Sequence, residues 1–508
     1  MSKLIKSIPL LVIALLLVGM AVPAASTGQP VLAKLHPMLA HMAAESPGQP
    51  VSVIVQKADD SGKAEQLTAI LGGAVTKDLR MINAFAAQMT AGAALELAAS
   101  PAVRWVSIDA PVKEAGGPDG TVDTNKLANA YISAIGADRL WDEGYQGSSV
   151  TVAVVDSGVA SNDDLRELPN NKSLLRILSS TMTNTATNNS SDQYGHGTHI
   201  AGIIGGNGYL SKRTYIGVAP KVKLVNVKVS DDKGAASTSD LIAGLQWVND
   251  NRERYNIRVL NLSLNSTLTE TYHTSSIDAA LEILWFNGIV VVVSAGNNGT
   301  NNVLYPPAND PFVIVVGAVN DQGTIITGDD SLASFSAFGT TLDGFAKPDL
   351  VAPGNNIVSL LASPNSRLAK EYKDNRVGGF GGPDHYFRMS GTSMASAVTS
   401  GAVALLLQDE PGLNPDQVKY RLMATARPFG PGSGAGYLDV YTAVQGTTTQ
   451  AANTGRQASQ LLWTGSDPVN WGSVNWGSVN WGSVNWGSVN WGSVNWGSVN
   501  WGSDYWGP

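Results

Sequence analysis

At 508 residues the chain is longer than one modest domain needs, and 43% hydrophobic residues suffice for a sizeable core. A net charge of -8 on a chain that is 15% charged presents no basic face, which argues against nucleic acid or anionic lipid as partners. The absence of cysteine excludes disulfides, thiol catalysis and cysteine-ligated metal.

The N-terminus reads as an export leader over residues 1–25. Lys3 and Lys6 precede an apolar run from Ile8 to Val18, followed by small residues at Ala21, Ala24, Ala25 and Ser26. That run is shorter than the roughly 20 apolar residues of a spanning helix, so a secreted, extracellular product is expected.

Residues 50–111 read as a small α+β unit. Val51, Val53 and Val55 alternate as in a strand, a helix covers Ala64 to Leu71, and Gly72 and Gly73 end it. Strands around Val75 to Leu79 and Ala84 to Met89, a helix from Ala91 to Ala99 and a strand from Val103 to Ile108 complete a βαββαβ order. Residues 112–124, with Gly116, Gly117, Pro118 and Gly120, read as a linker and cleavage zone.

Over 125–446 short apolar runs (Val150 to Val155, Val222 to Val229, Val259 to Leu264, Ile289 to Val293, Val313 to Val316) alternate with helix-like segments such as Asp240 to Val248 and Ile277 to Phe286. Runs apolar on both faces suit buried parallel strands, so this part is α/β, a parallel sheet with helices on both faces. Its chemistry should gather at strand ends.

Residues 447–468 read as a linker. From Val469 the pentapeptide Val-Asn-Trp-Gly-Ser repeats to Ser503, in a tail (469–508) that holds most of the 13 tryptophans. A five-residue period fits neither helix nor simple strand. Two readings stay open: a cell-envelope or polysaccharide contact through the indoles, or a low-complexity spacer.

Three segments carry the chemistry. Val152-Ala153-Val154-Val155-Asp156-Ser157-Gly158 ends a buried strand on a carboxylate, Gly195-His196-Gly197-Thr198-His199 sets an imidazole at a glycine-bounded helix start, and Gly391-Thr392-Ser393-Met394-Ala395-Ser396 opens another helix. A serine hydroxyl becomes a nucleophile when a histidine takes its proton, and that histidine needs a carboxylate to hold its tautomer. His196 and His199 could alternatively bind a metal, but no Glu lies between them.

These segments resemble the Asp, His and Ser signatures of the subtilisin-like serine proteases, in that family's order, over about Asn125 to Val444. The resemblance implies a three-layer subtilisin-like fold and a serine endopeptidase with Asp156 orienting, His196 as general base and acid, and Ser393 as nucleophile. Asn297, in Ser294-Ala295-Gly296-Asn297, matches the family's oxyanion residue. His199 then becomes a packing residue.

By the same resemblance an extended substrate peptide pairs with Gly234-Ala235-Ala236 and Ser263-Leu264-Asn265, beside Gly296. Asn265 stands where the family has glycine, which narrows the pocket for the residue before the scissile bond. Asn298 supplies no anion, so broad cleavage with an apolar preference is expected. Ala397 stands where the family has proline.

Val51 to Ile108 resembles the family's ferredoxin-like propeptide inhibitor, notably in Ile82-Asn83-Ala84-Phe85 and Val103-Arg104-Trp105-Val106-Ser107-Ile108. The chain's own propeptide would assist folding, fill the cleft and be removed autocatalytically; protein and peptide substrates follow. No cofactor is required for the chemistry. Calcium is a candidate stabilising ion with Asp164 as one ligand, although Gly205-Gly206-Asn207-Gly208 to Arg213 departs from the family's ligand loop. The rival is a non-catalytic surface or adhesion protein of the same fold, attached through the tail.

Overall fold

A computed structural model describes residues 31–115, 129–167, 171–299, 305–379 and 383–462. The leader-like stretch 1–25 and the repeat tail 469–508, with the envelope contact suggested for it, lie outside the described residues.

In the small unit four strands, Ala74–Leu79, Ala84–Thr90, Pro50–Lys57 and Val103–Ile108, lie side by side in that order. The central pair runs antiparallel with Val53 opposite Ala87 and Val55 opposite Phe85. Val53, Val55, Phe85 and Ala87 pack in one core with Leu97 and Val106, beneath the helices Lys63–Ile70 and Ala91–Ala98. Simple alternation would leave the opposite face wet. Instead Ile54, Ala84 and Ala86 on that face are buried, along with Leu79 and Ile82, in the core of the large unit. Strands with both faces covered lose the period-2 signal.

A helix over Pro37–Glu45, not expected from the sequence, joins this unit. Leu39 and Ala43 bury against it, Leu35 bridges to Val106, and His36 Nδ1 accepts the Met38 N–H at 3.2 Å.

The large unit is the α/β fold expected. Its sheet runs Ile177–Met182, Lys223–Lys228, Thr151–Asp156, Ile257–Leu262, Val290–Ser294, Ile314–Asn320, all parallel. Leu350–Pro353 and the short antiparallel Ser331–Leu332 both pair with Ile314–Asn320. The helix Thr392–Asp409 is buried at every position from Thr392 to Leu407, so it passes through the interior with no polar face. Gly401 allows the close approach: a Cβ there would stand 2.6 Å from Val218 Cβ.

The described parts of two expected linkers are structured, while residues 116–124 of the expected cleavage zone and 463–468 of the second linker lie outside the described residues. Residues 111–114 form a strand. Beyond residue 446 the chain stays on the large unit to Leu462: Asn453 Nδ2 donates to Phe312 O at 3.0 Å, Tyr272 OH to Gln457 O at 2.8 Å, and Ser459 N–H to Glu282 Oε2 at 2.7 Å. Hydrogen bonding rather than apolar periodicity holds this stretch, which is why its Thr, Gln and Ala composition reads as loop. Among the described residues no helix is long and apolar enough to cross a membrane.

Candidate active site

Parallel strands place their C-terminal ends together, and Asp156 ends the strand Thr151–Asp156. His196 is the first residue of the helix His196–Gly205, Ser393 the second of Thr392–Asp409, and these two helices pack on each other. Gly197 makes the approach possible: a Cβ there would lie 2.2 Å from Gly158 O and 3.0 Å from Asp156 Oδ1.

Asp156 Oδ1 and His196 Nδ1 are 2.8 Å apart, both side chains fully buried. This bond sets the proton on Nδ1 and leaves Nε2 as the basic nitrogen. Nε2 is buried without a hydrogen-bond partner among the described residues. Burial pulls the imidazolium down, but the Asp156 charge and hydrogen bond, with Glu114 and Asp192, more than offset it, and His196 is pushed up to about 9. The site is built to hold a proton on this ring once it arrives.

Asp192, not singled out by the sequence reading, pins the histidine helix. Its Oδ1 accepts the Gly195 N–H at 2.6 Å and the Ser157 hydroxyl at 3.0 Å; its Oδ2 accepts the Thr198 N–H at 2.9 Å and hydroxyl at 2.7 Å. An acid four residues before a helix-opening histidine is the signal that could have found it. His199 faces inward: Nε2 lies 3.0 Å from Phe387 O and 3.2 Å from Ile357 O, and burial holds it down at about 3, hence neutral. It acts in packing, as expected.

Segment 111–115 threads the cleft. Pro111–Glu114 lies antiparallel between Ala236–Ser237 and Leu264–Ser266, with Val112 opposite Ala236, and Lys113 and Glu114 opposite Asn265 and Leu264. Ala115 N–H donates to Ser263 O at 3.0 Å and Ser393 N–H to Ala115 O at 3.0 Å. The Ser393 hydroxyl donates to Ser263 O at 3.3 Å. Of the segments expected to bind substrate, Ala236, Leu264 and Asn265 pair directly with this strand and Ser263 holds Ala115. Gly234 and Ala235 form the turn before it, with Gly234 at φ +82° against the Tyr194 ring.

Asn297 Oδ1 accepts both the N–H and the hydroxyl of Thr392, each at 3.0 Å. With its oxygen so engaged, the carboxamide has only its NH2 to offer a reacting carbonyl. Thr392 Oγ1 accepts the Gly296 N–H at 3.1 Å, and Asn265 is tied back to Ser294, 3.2 Å from its hydroxyl to Asn265 Oδ1.

Glu114 is the second group the sequence reading missed. One side-chain atom each of Glu114, Asp156 and His196 lie within 4.8 Å of one another. Burial pushes the Glu114 carboxyl up to about 8; His196 draws it down, Asp156 and Asp192 push it further up.

Asp164 does not fit a calcium site. Its Oδ1 accepts the Leu210 N–H at 2.8 Å and its Oδ2 the Tyr386 hydroxyl at 2.6 Å, while the Arg176 guanidinium donates to its backbone oxygen at 2.7 Å. A carboxylate with both oxygens on protein donors, next to a fixed cation, is poorly placed to join an oxygen cage. This donor set does not favour Asp164 as a calcium ligand and makes it a hydrogen-bonded junction.

Ala397 lies within the helix, and the Ser393 carbonyl also accepts the Ser396 hydroxyl at 2.8 Å.

The Subtilase family profile matches residues 147–459, and a profile for Pentapeptide repeats (8 copies) matches 469–507. Subtilisin E of Bacillus subtilis is 33% identical over 399 residues, 76% of this chain and 87% of its own length. The serine protease AprX of the same species is 40% identical over 280 residues, 54% of this chain and 60% of AprX. Fervidolysin of Fervidobacterium pennivorans, a keratinolytic enzyme related to subtilisin, superposes with a TM-score of 0.61 at 24% identity, over 81% of this chain and 63% of that one, a likeness of fold. The chain belongs to the subtilase family of serine endopeptidases.

Proposed function

We propose that the protein is exported as a precursor whose residues 31–115 inhibit it, that Ser393 cuts the Ala115–Gly116 bond, and that the released enzyme cleaves proteins broadly. The observation that carries this reading is the Ala115 carbonyl on the Ser393 N–H, with its own N–H on Ser263 O.

In this scheme His196 Nε2 takes the Ser393 hydroxyl proton as Oγ attacks the Ala115 carbonyl carbon. Negative charge collects on the oxygen that Ser393 N–H already holds, with the Asn297 NH2 as second donor. The imidazolium, stabilised by Asp156, passes its proton to the Gly116 nitrogen as the C–N bond breaks. Water, deprotonated by the same Nε2, then hydrolyses the ester between Ala115 and Ser393.

The inserted strand also suggests what the cleft accepts. Ala115 is buried beside the scissile bond, Val112 is buried three residues earlier, and Lys113 between them is exposed. Small residues before the cut and an aliphatic residue three positions upstream are the expected preference, consistent with Asn265 in place of glycine. A peptide-library digest dominated by Lys or Arg before the cut would overturn it.

The decisive experiment compares wild type with Ser393→Ala by fluorophosphonate labelling, intact mass and N-terminal sequencing. Label on Ser393 and a new N-terminus at Gly116, both absent from Ser393→Ala, are expected. Processing of Ser393→Ala at the same bond would refute self-cleavage.

A further inference from the structure

The short stretch Gln460–Leu462, the last described residues before the repeat tail, is held from two sides by different units. On the large unit, Gln460 N–H donates to His273 O at 2.9 Å and the Ser459 hydroxyl to the same oxygen at 3.2 Å. On the small unit, side chains take three successive carbonyls: Arg104 Nη2 donates to Gln460 O, Gln56 Nε2 to Leu461 O, and Arg104 Nη1 to Leu462 O at 3.3 Å. Gln56 is itself buried and fixed by a bond to Ile82 O at 2.9 Å, and Leu461 and Leu462 are 3% and 1% exposed.

None of these contacts belongs to the strand that fills the cleft. A guanidinium fork and a buried carboxamide reading consecutive carbonyls of one segment make a built peptide-binding site. We propose that Gln56 and Arg104 form a docking site for Gln460–Leu462, so that the propeptide clamps the root of the repeat tail and its departure frees that root. The inference rests on the reading that residues 31–115 are removed. It makes maturation two-ended: departure of the small unit frees three carbonyls next to the C-terminal repeats, and only then does this stretch become open to proteolysis.

The test uses the full chain carrying Ser393→Ala, in which the small unit stays attached, with and without Gln56→Ala and Arg104→Ala. Hydrogen–deuterium exchange of a peptide spanning Gln457–Leu462 should rise at least about tenfold in the triple variant, because three lost hydrogen bonds loosen a local opening by more than that factor. Exchange in Ala84–Thr90 and Pro111–Glu114 should not change. Unaltered exchange at Gln457–Leu462 with all three bonds removed overturns the clamp. If the double substitution loosens the whole small sheet, the comparison passes to matured wild type against the Ser393→Ala precursor: faster exchange at Gln457–Leu462 after maturation supports the clamp, and equal protection overturns it. Should intact mass show that wild type keeps residues 31–115, the propeptide reading fails while the clamp is still decided in the Ser393→Ala background.

Discussion

Glu114 offers a way to make propeptide release depend on pH, and Glu114→Gln tests it. In the filled cleft its carboxyl is pushed up to about 8 from an ordinary value of 4.5, through burial, opposed by His196 and reinforced by Asp156 and Asp192. A carboxyl whose pKa is higher in the complex than free binds a proton on association. Its contribution is therefore complete below about 4.5 and is lost as pH rises through about 8. Glu114 and His196 each act on the other's titration, and the bound concerns the one proton that Glu114 itself takes up. Linkage then bounds the effect at tenfold in affinity per pH unit, or about 1000-fold between pH 5 and 8. Glu114 is partly open to solvent, which reduces this to about 10- to 100-fold.

Other groups facing the junction also titrate. Glu270, near His36, is pushed up to about 8 by burial, and burial raises Asp109 as well. Both have the same sign as Glu114, so wild type can show a slope steeper than one proton. The informative quantity is the difference between wild type and Glu114→Gln. Native mass spectrometry of the processed complex, equilibrated between pH 5 and 8.5, reads the bound fraction without depending on turnover. Release from wild type should increase with pH more steeply than from Glu114→Gln by up to one proton. Parallel curves would refute the argument.

Asn297→Ala should lower kcat by about 100- to 1000-fold with little change in KM, a magnitude established for subtilisin itself rather than worked from this geometry; steady-state peptide hydrolysis measures it. Asp109 caps the helix Thr238–Asn251, accepting the Ser239 N–H at 2.8 Å and hydroxyl at 2.7 Å across the junction. Asp109→Ala should weaken propeptide retention by about 1–2 kcal/mol, seen as roughly 5- to 30-fold faster appearance of activity after processing. Asp164→Asn should lower Tm by the same amount with and without a chelator, because its oxygens serve Leu210 and Tyr386; a loss that disappears in chelator would restore Asp164 as a metal ligand.

Much of this was legible in the sequence because parallel strands buried on both faces write themselves as unbroken Val, Ile and Leu runs. Val290–Ser294 and Thr151–Asp156 were visible for that reason, and Asp156 was conspicuous as the charge ending such a run. The elements that escaped draw their order from partners distant in the chain. Pro111–Glu114 has no apolar period, since only Val112 and Ala115 turn inward, and it becomes a strand because two edges of the large unit complete it. Residues 447–462 are ordered by side chains on remote helices, and the helix Pro37–Glu45 by contact with Ala91–Ala98. Glu114 carries no local motif of its own, and its importance comes from three-dimensional proximity to His196, which spacing along the chain does not encode. Asp192 is marked only by its place four residues before His196.

The same contacts that present Ala115 for attack explain why its segment would inhibit after the cut. Hydrolysis turns the Ala115 carbonyl into a carboxylate that keeps the Ser393 N–H, while the ladder to Ala236, Leu264 and Ser266 is untouched. Lys77 remains paired with Asp240, Arg80 with Asp250, and Ile54, Ala84 and Ala86 stay in the core they share with the large unit. Bond breaking therefore removes almost none of the surface that holds the two units together. Under the proposed self-cleavage, separation of the units rather than bond breaking would then limit activation. Control of activity then falls on the groups at the junction, Glu114, Asp109 and the Gln56 and Arg104 pair, rather than on the catalytic residues themselves.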